Sequence, residues 1–180
     1  MKLNHFKCNK PGHFIEEYER ILSRRIPYRL LEIGVQTGNS LRMWADAFGD
    51  SEIVGLDIVR PNTHMPNNVK MIEGNQSDVA LLESLGNFDV IIDDGSHMTS
   101  HQQKSFEVLW PQLNAGGIYV IEDLETSYIS QFMDSELTTM EFLQRKLDMI
   151  RVSNSYMFAF ENEQIKRLTF VKDMAIIEKA

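Results

Sequence analysis

The sequence predicts an α/β protein: one domain over residues 1–180, built on a doubly wound, mostly parallel sheet that ends in an antiparallel hairpin. Three observations predict it. Short apolar runs alternate with helical patterns from Arg29 to Glu122, a glycine turn follows the first run, and two β-prone runs close the chain.

Pro11 to Arg25 carries Phe14, Tyr18, Ile21 and Leu22 at helical spacing and is closed by Ile26-Pro27, so a helical lead-in (residues 1–28) precedes the first strand. The apolar runs are Arg29 to Gly34, Ile53 to Ile58, Val69 to Ile72, Phe88 to Asp93 and Gly117 to Glu122. Each is bounded by Gly, Asn or Asp, as buried parallel strands are. Between them lie Ser40 to Phe48 closed by Gly49, Asp78 to Leu85 closed by Gly86, and Thr99 to Leu113, all of helical pattern. Thr138 and Glu141 stand at capping-box spacing before a helix bearing Leu143, Leu147 and Ile150. Residues 124–155 are thus expected to form a substrate lid and a helix. Tyr156 to Phe160 is ambiguous, and Ile165 to Phe170 and Met174 to Glu178 flank a tight Lys172-Asp173 turn.

Composition narrows the function classes. With 43% apolar and 24% charged residues the chain has the make-up of a globular protein, and no apolar run approaches membrane-spanning length. A net charge of -8 argues against a nucleic-acid partner. Arg20, Arg24, Arg25 and Arg29 read as a solvated helix face and its end. Residues 1–10 hold no apolar stretch of the kind a signal peptide needs, so a cytoplasmic location is expected. Cys8 is the only cysteine, which excludes an internal disulfide and a thiolate metal cage.

The run Leu30-Leu31-Glu32-Ile33-Gly34-Val35-Gln36-Thr37-Gly38 ends a buried strand with two glycines, where backbone turns tightly and leaves room for a ligand. The spacing Gly-x-x-x-Gly fits a pyrophosphate-cradling dinucleotide site less well than Gly-x-Gly-x-x-Gly does. Asp57 ends the second strand, where a carboxylate can accept from both hydroxyls of a ribose; a plain turn residue is the alternative, and the glycine turn one strand earlier favours the ribose. Gln76 and Asp78 are placed to reach an adenine, and Asp78 equally suits a helix N-cap.

Asp93-Asp94-Gly95-Ser96-His97 follows strand four and Glu122-Asp123 follows strand five, so carboxylates crowd at one sheet edge. Like charges held close raise one another's pKa unless a cation neutralises them, and hard oxygen ligands favour Mg²⁺, Mn²⁺ or Ca²⁺ over zinc. Caps and contacts to a cofactor amine are the alternative role for these acids. His97 and His101 would instead suit zinc if they shared one helical face.

Glu32-x-Gly34-x-x-x-Gly38, Asp57, the Leu113-Asn114-Ala115-Gly116-Gly117 run and the terminal hairpin together resemble class I S-adenosylmethionine-dependent methyltransferases, a Rossmann-like fold. Asp93 to His97, Gly117 to Asp123, Ser127-Tyr128, Asn9-Lys10, His13, Tyr18, Ser40-Leu41, Trp44 and Ile176 to Lys179 resemble in particular the metal-dependent sugar O-methyltransferases of the mycinamicin type, which tailor macrolides. The resemblance implies that Glu32, Gly34, Gly38, Asp57, Gln76 and Asp93 bind S-adenosylmethionine. It also implies that Asp94, Glu122 and Asp123 bind Mg²⁺ or another divalent cation, and that His97, with Asp94, carries the catalysis as base. The acceptor is then a small-molecule or glycoside hydroxyl, and a homodimer is common among such relatives. Two departures stand out: Asn75 where many relatives place an acid, and no counterpart within these residues of the large amino-terminal auxiliary domain.

Chemistry sets what the site must supply. An alcohol is so much weaker an acid than an imidazolium that prior proton transfer costs about 12 kcal/mol, so a histidine base needs a cation's help. Rival readings are a nicotinamide dinucleotide oxidoreductase, a non-catalytic binding module on the same fold, and a relative of the cephalosporin hydroxylases.

Overall fold

The computed structural model describes residues 2–3, 8–23, 27–151 and 164–180, with backbone alone for 148–151. The expected helix end at Arg24 to Ile26, the last residues of the 124–155 segment and Tyr156 to Phe160 lie outside the described residues.

Seven strands form one sheet in the order β3-β2-β1-β4-β5-β7-β6. β1 (Arg29–Ile33), β2 (Glu52–Asp57), β3 (Val69–Glu73), β4 (Phe88–Asp93) and β5 (Leu113–Ile121) run parallel. β7 (Met174–Lys179) lies antiparallel to β5 and to β6 (Ile165–Val171), and the Val171↔Met174 pair closes the expected hairpin over Lys172-Asp173. The helices are α1 (Gly12–Leu22), α2 (Asn39–Ala47), α3 (Val79–Ser84), α4 (Thr99–Leu109) and α5 (Thr139–Arg151). Among the described residues no helix is long and apolar enough to cross a membrane.

The apolar runs carry no alternation, and the sheet supplies it. Leu30, Ile53, Val90, Ile92, Ile118, Val120 and Ile176 face α1 and α2, while Leu31, Ile33, Val54, Leu56, Ile91, Tyr119 and Ile177 face α3, α4 and α5. Both faces are therefore buried, the reason such strands read as continuous apolar runs. α1 buries Phe14, Ile15, Tyr18 and Leu22, each worth about 1.5–3 kcal/mol when fully covered. Tyr18 also packs edge-on against Trp44 of α2 at 5.0 Å, which fixes α1 against α2.

Local signals hold where they were expected. The Asp78 side chain accepts from Leu81 N at 3.1 Å, so it caps α3. Glu141 N donates to Thr138 Oγ1 at 3.1 Å while Thr138 N donates to Glu141 Oε2 at 2.8 Å, a reciprocal capping box. Two boundaries differ. α4 stops at Leu109 rather than Leu113, because Pro111 has no N–H to continue the ladder. β5 begins at Leu113 rather than Gly117: Leu113 pairs with Phe88, and the register shift before Val90 absorbs Asn114 to Gly117 as an irregularity inside the strand.

Candidate active site

The order change between β1 and β4 opens a crevice at the carboxyl ends of the parallel strands, where ligands bind in doubly wound sheets. Hydrogen bonds continue past the strand ends: Gly34 N to Leu56 O at 2.8 Å, Asp94 N to Ile33 O at 2.9 Å, and Glu122 N to Asp93 O at 3.0 Å. These bonds set Gly34, Asp94 and Glu122 side by side. Above them lies a cleft of about 510 Å³, lined among others by Gly34, Asp57, Asp94, His97, Glu122 and Asp123. That size suits a cofactor.

The glycine turn forms one wall. Gly34 has φ +84, and a Cβ there would lie 1.8 Å from the carbonyl oxygen of Asp94, so only glycine lets β1 and the β4 loop approach. Asp57 Oδ2 accepts from Val35 N at 2.7 Å and Gln36 N at 2.9 Å, and Oδ1 accepts from Val59 N at 3.1 Å. Three of the roughly four acceptor positions of this carboxylate hold the turn, which leaves about one for a ribose hydroxyl. Ile58 and Val59 stand at the lip with about two thirds of their surface open.

Glu32, Gly38, Gln76 and Asp93 do not line the cleft. Gln76 was expected at an adenine, but it is buried, its amide donating to Asp93 Oδ1 at 3.1 Å and its carbonyl accepting from Ser96 N at 2.7 Å. It fastens the β4 loop to the loop after β3. Burial pushes the Asp93 carboxyl up to about 7, against the hydrogen bonds from Gln76 and Gly95 N. Glu32 is fully buried and accepts from Ser40 Oγ at 2.7 Å.

In the same cleft Asp94, His97 and Asp123 each offer a ligand atom, all within 4.8 Å of one another. His97 Nε2 lies 3.6 Å from Asp123 Oδ2, and Phe132 meets the His97 ring edge-on at 6.1 Å. His97 Nδ1 is buried without a hydrogen-bond partner among the described residues. The two carboxylates are hard oxygen donors that suit a divalent cation, and the imidazole stands beside them. Burial first, then Asp94, raises the Asp123 carboxyl, and His97 opposes the rise. A zinc pair of His97 and His101 is not formed: His97 precedes α4 with φ +59, and His101 Nδ1 meets Ser96 Oγ at 2.8 Å.

Glu122 turns elsewhere. Its Oε1 accepts from Lys10 Nζ at 2.7 Å and from the Tyr18 hydroxyl. Lys10 Nζ is also 2.9 Å from Glu32 Oε1 and 2.7 Å from Asp94 Oδ2. Burial alone would discharge Lys10, but Glu32, Glu122 and Asp94 outweigh it and hold the amine well above its ordinary value. Burial raises Glu122, with Lys10 pulling it down and Asp94 pushing it further up. Residue reasoning assigned Lys10 no role. Its one signal was the Asn9-Lys10 pair, because a lone lysine before a helix has no periodicity to mark it.

Comparison with known proteins agrees with this architecture. A family model described as a methyltransferase domain matches residues 31–124. The 8-demethyl-8-alpha-L-rhamnosyl tetracenomycin-C 2'-O-methyltransferase of Streptomyces olivaceus is 40% identical over 119 residues, 62% of this chain and 32% of that protein. Demethylmacrocin O-methyltransferase of Streptomyces fradiae is 35% identical over 157 residues, 77% of this chain and 40% of that one. A methyltransferase from the mycinamycin biosynthetic pathway, solved in complex with Mg and SAH, superposes with a TM-score of 0.87 at 30% identity, over 100% of this chain and 55% of that chain. The chain spans 30% to 40% of the length of the curated relatives it matches. With that family model covering over half of its residues, and the glycine turn, strand order and edge hairpin in place, the chain belongs to the methyltransferase domain family.

Proposed function

We propose that this domain is the catalytic part of an S-adenosylmethionine-dependent, Mg²⁺-assisted O-methyltransferase acting on a hydroxyl of a sugar in a glycoside, or of another vicinal diol. One observation carries the reading: Asp94, His97 and Asp123 line the same cleft as the glycine turn and Asp57. The names of the relatives support the acceptor class, since they include a mycinamicin VI 2''-O-methyltransferase of Micromonospora griseorubida, and a related structure contains mycinamycin VI with Mg and SAH.

The turn at Gly34 and the Asp57 carboxylate would seat the cofactor, which supplies an electrophilic methyl group for in-line displacement. Asp94 and Asp123, with Glu122 beside them, would hold the divalent cation, which acidifies and orients the acceptor hydroxyl. Because hard cations prefer oxygen, His97 is left free to act as base. Its Nε2 faces Asp123, so that nitrogen takes the hydroxyl proton as the new O–C bond forms and the methyl–sulfur bond breaks, its electron pair leaving with S-adenosylhomocysteine. The segment 128–133 is the part of the proposed lid with freedom to close, for Tyr128 is 73% exposed while Asp134 is bonded to the start of α4.

The test is calorimetric titration of S-adenosylhomocysteine with Mg²⁺ and with a chelator, followed by mass spectrometry of rhamnosides incubated with S-adenosylmethionine. Micromolar binding and a metal-dependent gain of one methyl group are expected. No binding in either condition would overturn the proposal.

A further inference from the structure

The carboxylates that meet Lys10 come from three neighbouring strands: Glu32 from β1, Asp94 after β4 and Glu122 after β5. None of the steps proposed above uses an ammonium at that point. Its placement is nonetheless held from both sides. Pro11 starts α1 directly after it, and Asn9 Nδ2 donates to Gln36 Oε1 at 3.1 Å across the glycine turn. The Lys10 side chain is only 3% exposed, so water does not screen what it does.

Two of its three acids, Asp94 and Glu122, belong to the set proposed above for the divalent cation. A carboxylate oxygen 2.7 Å from an ammonium is already occupied, and a unit positive charge among these acids repels any second cation that approaches. Glu32 differs, because Ser40 fixes it and it lies outside the cleft.

We infer that Lys10 is a competitor built into the site: its ammonium holds Asp94 and Glu122 together when no divalent cation is bound, yields them when one binds, and thereby sets cation affinity. Glu32 keeps the ammonium in place during the exchange. Lys10 is then a positioning residue that keeps four crowded carboxylates foldable without metal and keeps the metal exchangeable. The inference rests on the metal reading above, and its test separates the two.

The experiment is Mn²⁺ titration of the purified chain, read by electron paramagnetic resonance of the free ion, for wild type, Lys10→Met, Lys10→Gln and Lys10→Arg. Loss of the charge is expected to tighten Mn²⁺ binding about tenfold or more, whereas Lys10→Arg stays within about threefold of wild type. In chelator the neutral variants unfold at lower temperature than wild type, and saturating Mn²⁺ raises their midpoint further than it raises the wild-type midpoint. A second measurement needs no variant: the ¹⁵Nζ lysine resonance of Lys10 shifts on adding Mg²⁺ to the wild-type chain. Equal or weaker Mn²⁺ binding by a folded neutral variant, tightening by Lys10→Arg as large as by Lys10→Met, or an unmoved Lys10 resonance at saturating Mg²⁺ would overturn the inference. Failure of the wild-type chain to bind Mn²⁺ would instead sink the metal reading itself.

Discussion

His97 Nε2 lies 3.6 Å from Asp123 Oδ2, and both residues hold left-handed backbone, φ +59 and +54. Non-glycine residues in that region carry strain of about 1–3 kcal/mol each, which persists where the surrounding structure enforces it. Here the sheet edge enforces it twice, on two side chains that face one cleft.

His97→Ala is therefore expected to lower kcat by about 10² to 10⁴ while S-adenosylhomocysteine binding stays within about twofold of wild type. Steady-state kinetics and calorimetry on the same preparation check it. Wild-type turnover would remove His97 from the role of base.

Asp123→Asn deletes one charge from the Asp94, His97 and Asp123 group. Mn²⁺ affinity is expected to fall by about tenfold or more, since the ion loses a full unit of opposite charge at contact distance. Equilibrium dialysis measures this directly, and unchanged affinity would place the ion elsewhere.

Gly34→Ala forces a Cβ to within 1.8 Å of the Asp94 carbonyl oxygen at φ +84. The β1 turn and the β4 loop then separate, with an expected loss of about 2–4 kcal/mol in unfolding free energy and of cofactor affinity. Urea denaturation and the calorimetric titration read the two effects, and a variant as stable as wild type would contradict the packing described.

Asp89 supplies a pH signature away from the site. Burial pushes its carboxyl up, but hydrogen bonds from Asn114 and from the Arg29 and Tyr28 amides, with the Arg29 guanidinium, hold it below the ordinary carboxylate value. A depressed folded pKa adds stability above the unfolded pKa, and that contribution is lost as pH falls through the folded pKa. Asp89→Asn should thus cost about 1 kcal/mol near pH 6, after allowance for solvent screening, and progressively less as pH falls below about 4. Urea midpoints of both proteins across that range test the sign: a gap that widens on acidification would refute it.

Asp134 accepts from Thr99 Oγ1 at 3.0 Å, Ser100 N at 2.8 Å and Ser100 Oγ at 2.6 Å. Asp134→Ala should cost about 1 kcal/mol and speed proteolytic cutting between residues 128 and 135. Limited proteolysis read by mass spectrometry would show the new cleavage, and an unaltered cutting pattern would mean that the segment is held by other contacts.

What the sequence by itself determined is what neighbours along the chain decide. The alternation of elements, the Asp78 cap, the Thr138 and Glu141 box, the Lys172-Asp173 hairpin and the glycine turn all rest on backbone geometry within a few residues. The grouping of Asp94 and Asp123 was legible too, because parallel strands that alternate with helices must present their carboxyl ends at one edge. Tertiary structure alone decided the rest. Gln76 is a fastener for Ser96 and Asp93, and Asp57 is largely committed to the glycine turn, because those partners arrive only when the sheet assembles. The bulged start of β5 follows from pairing with Phe88 rather than from its own glycines. Lys10 reaches Asp94 and Glu122 across 84 and 112 residues of sequence, a separation at which no propensity or period leaves a trace and only the closure of the chain into the sheet brings the charges together.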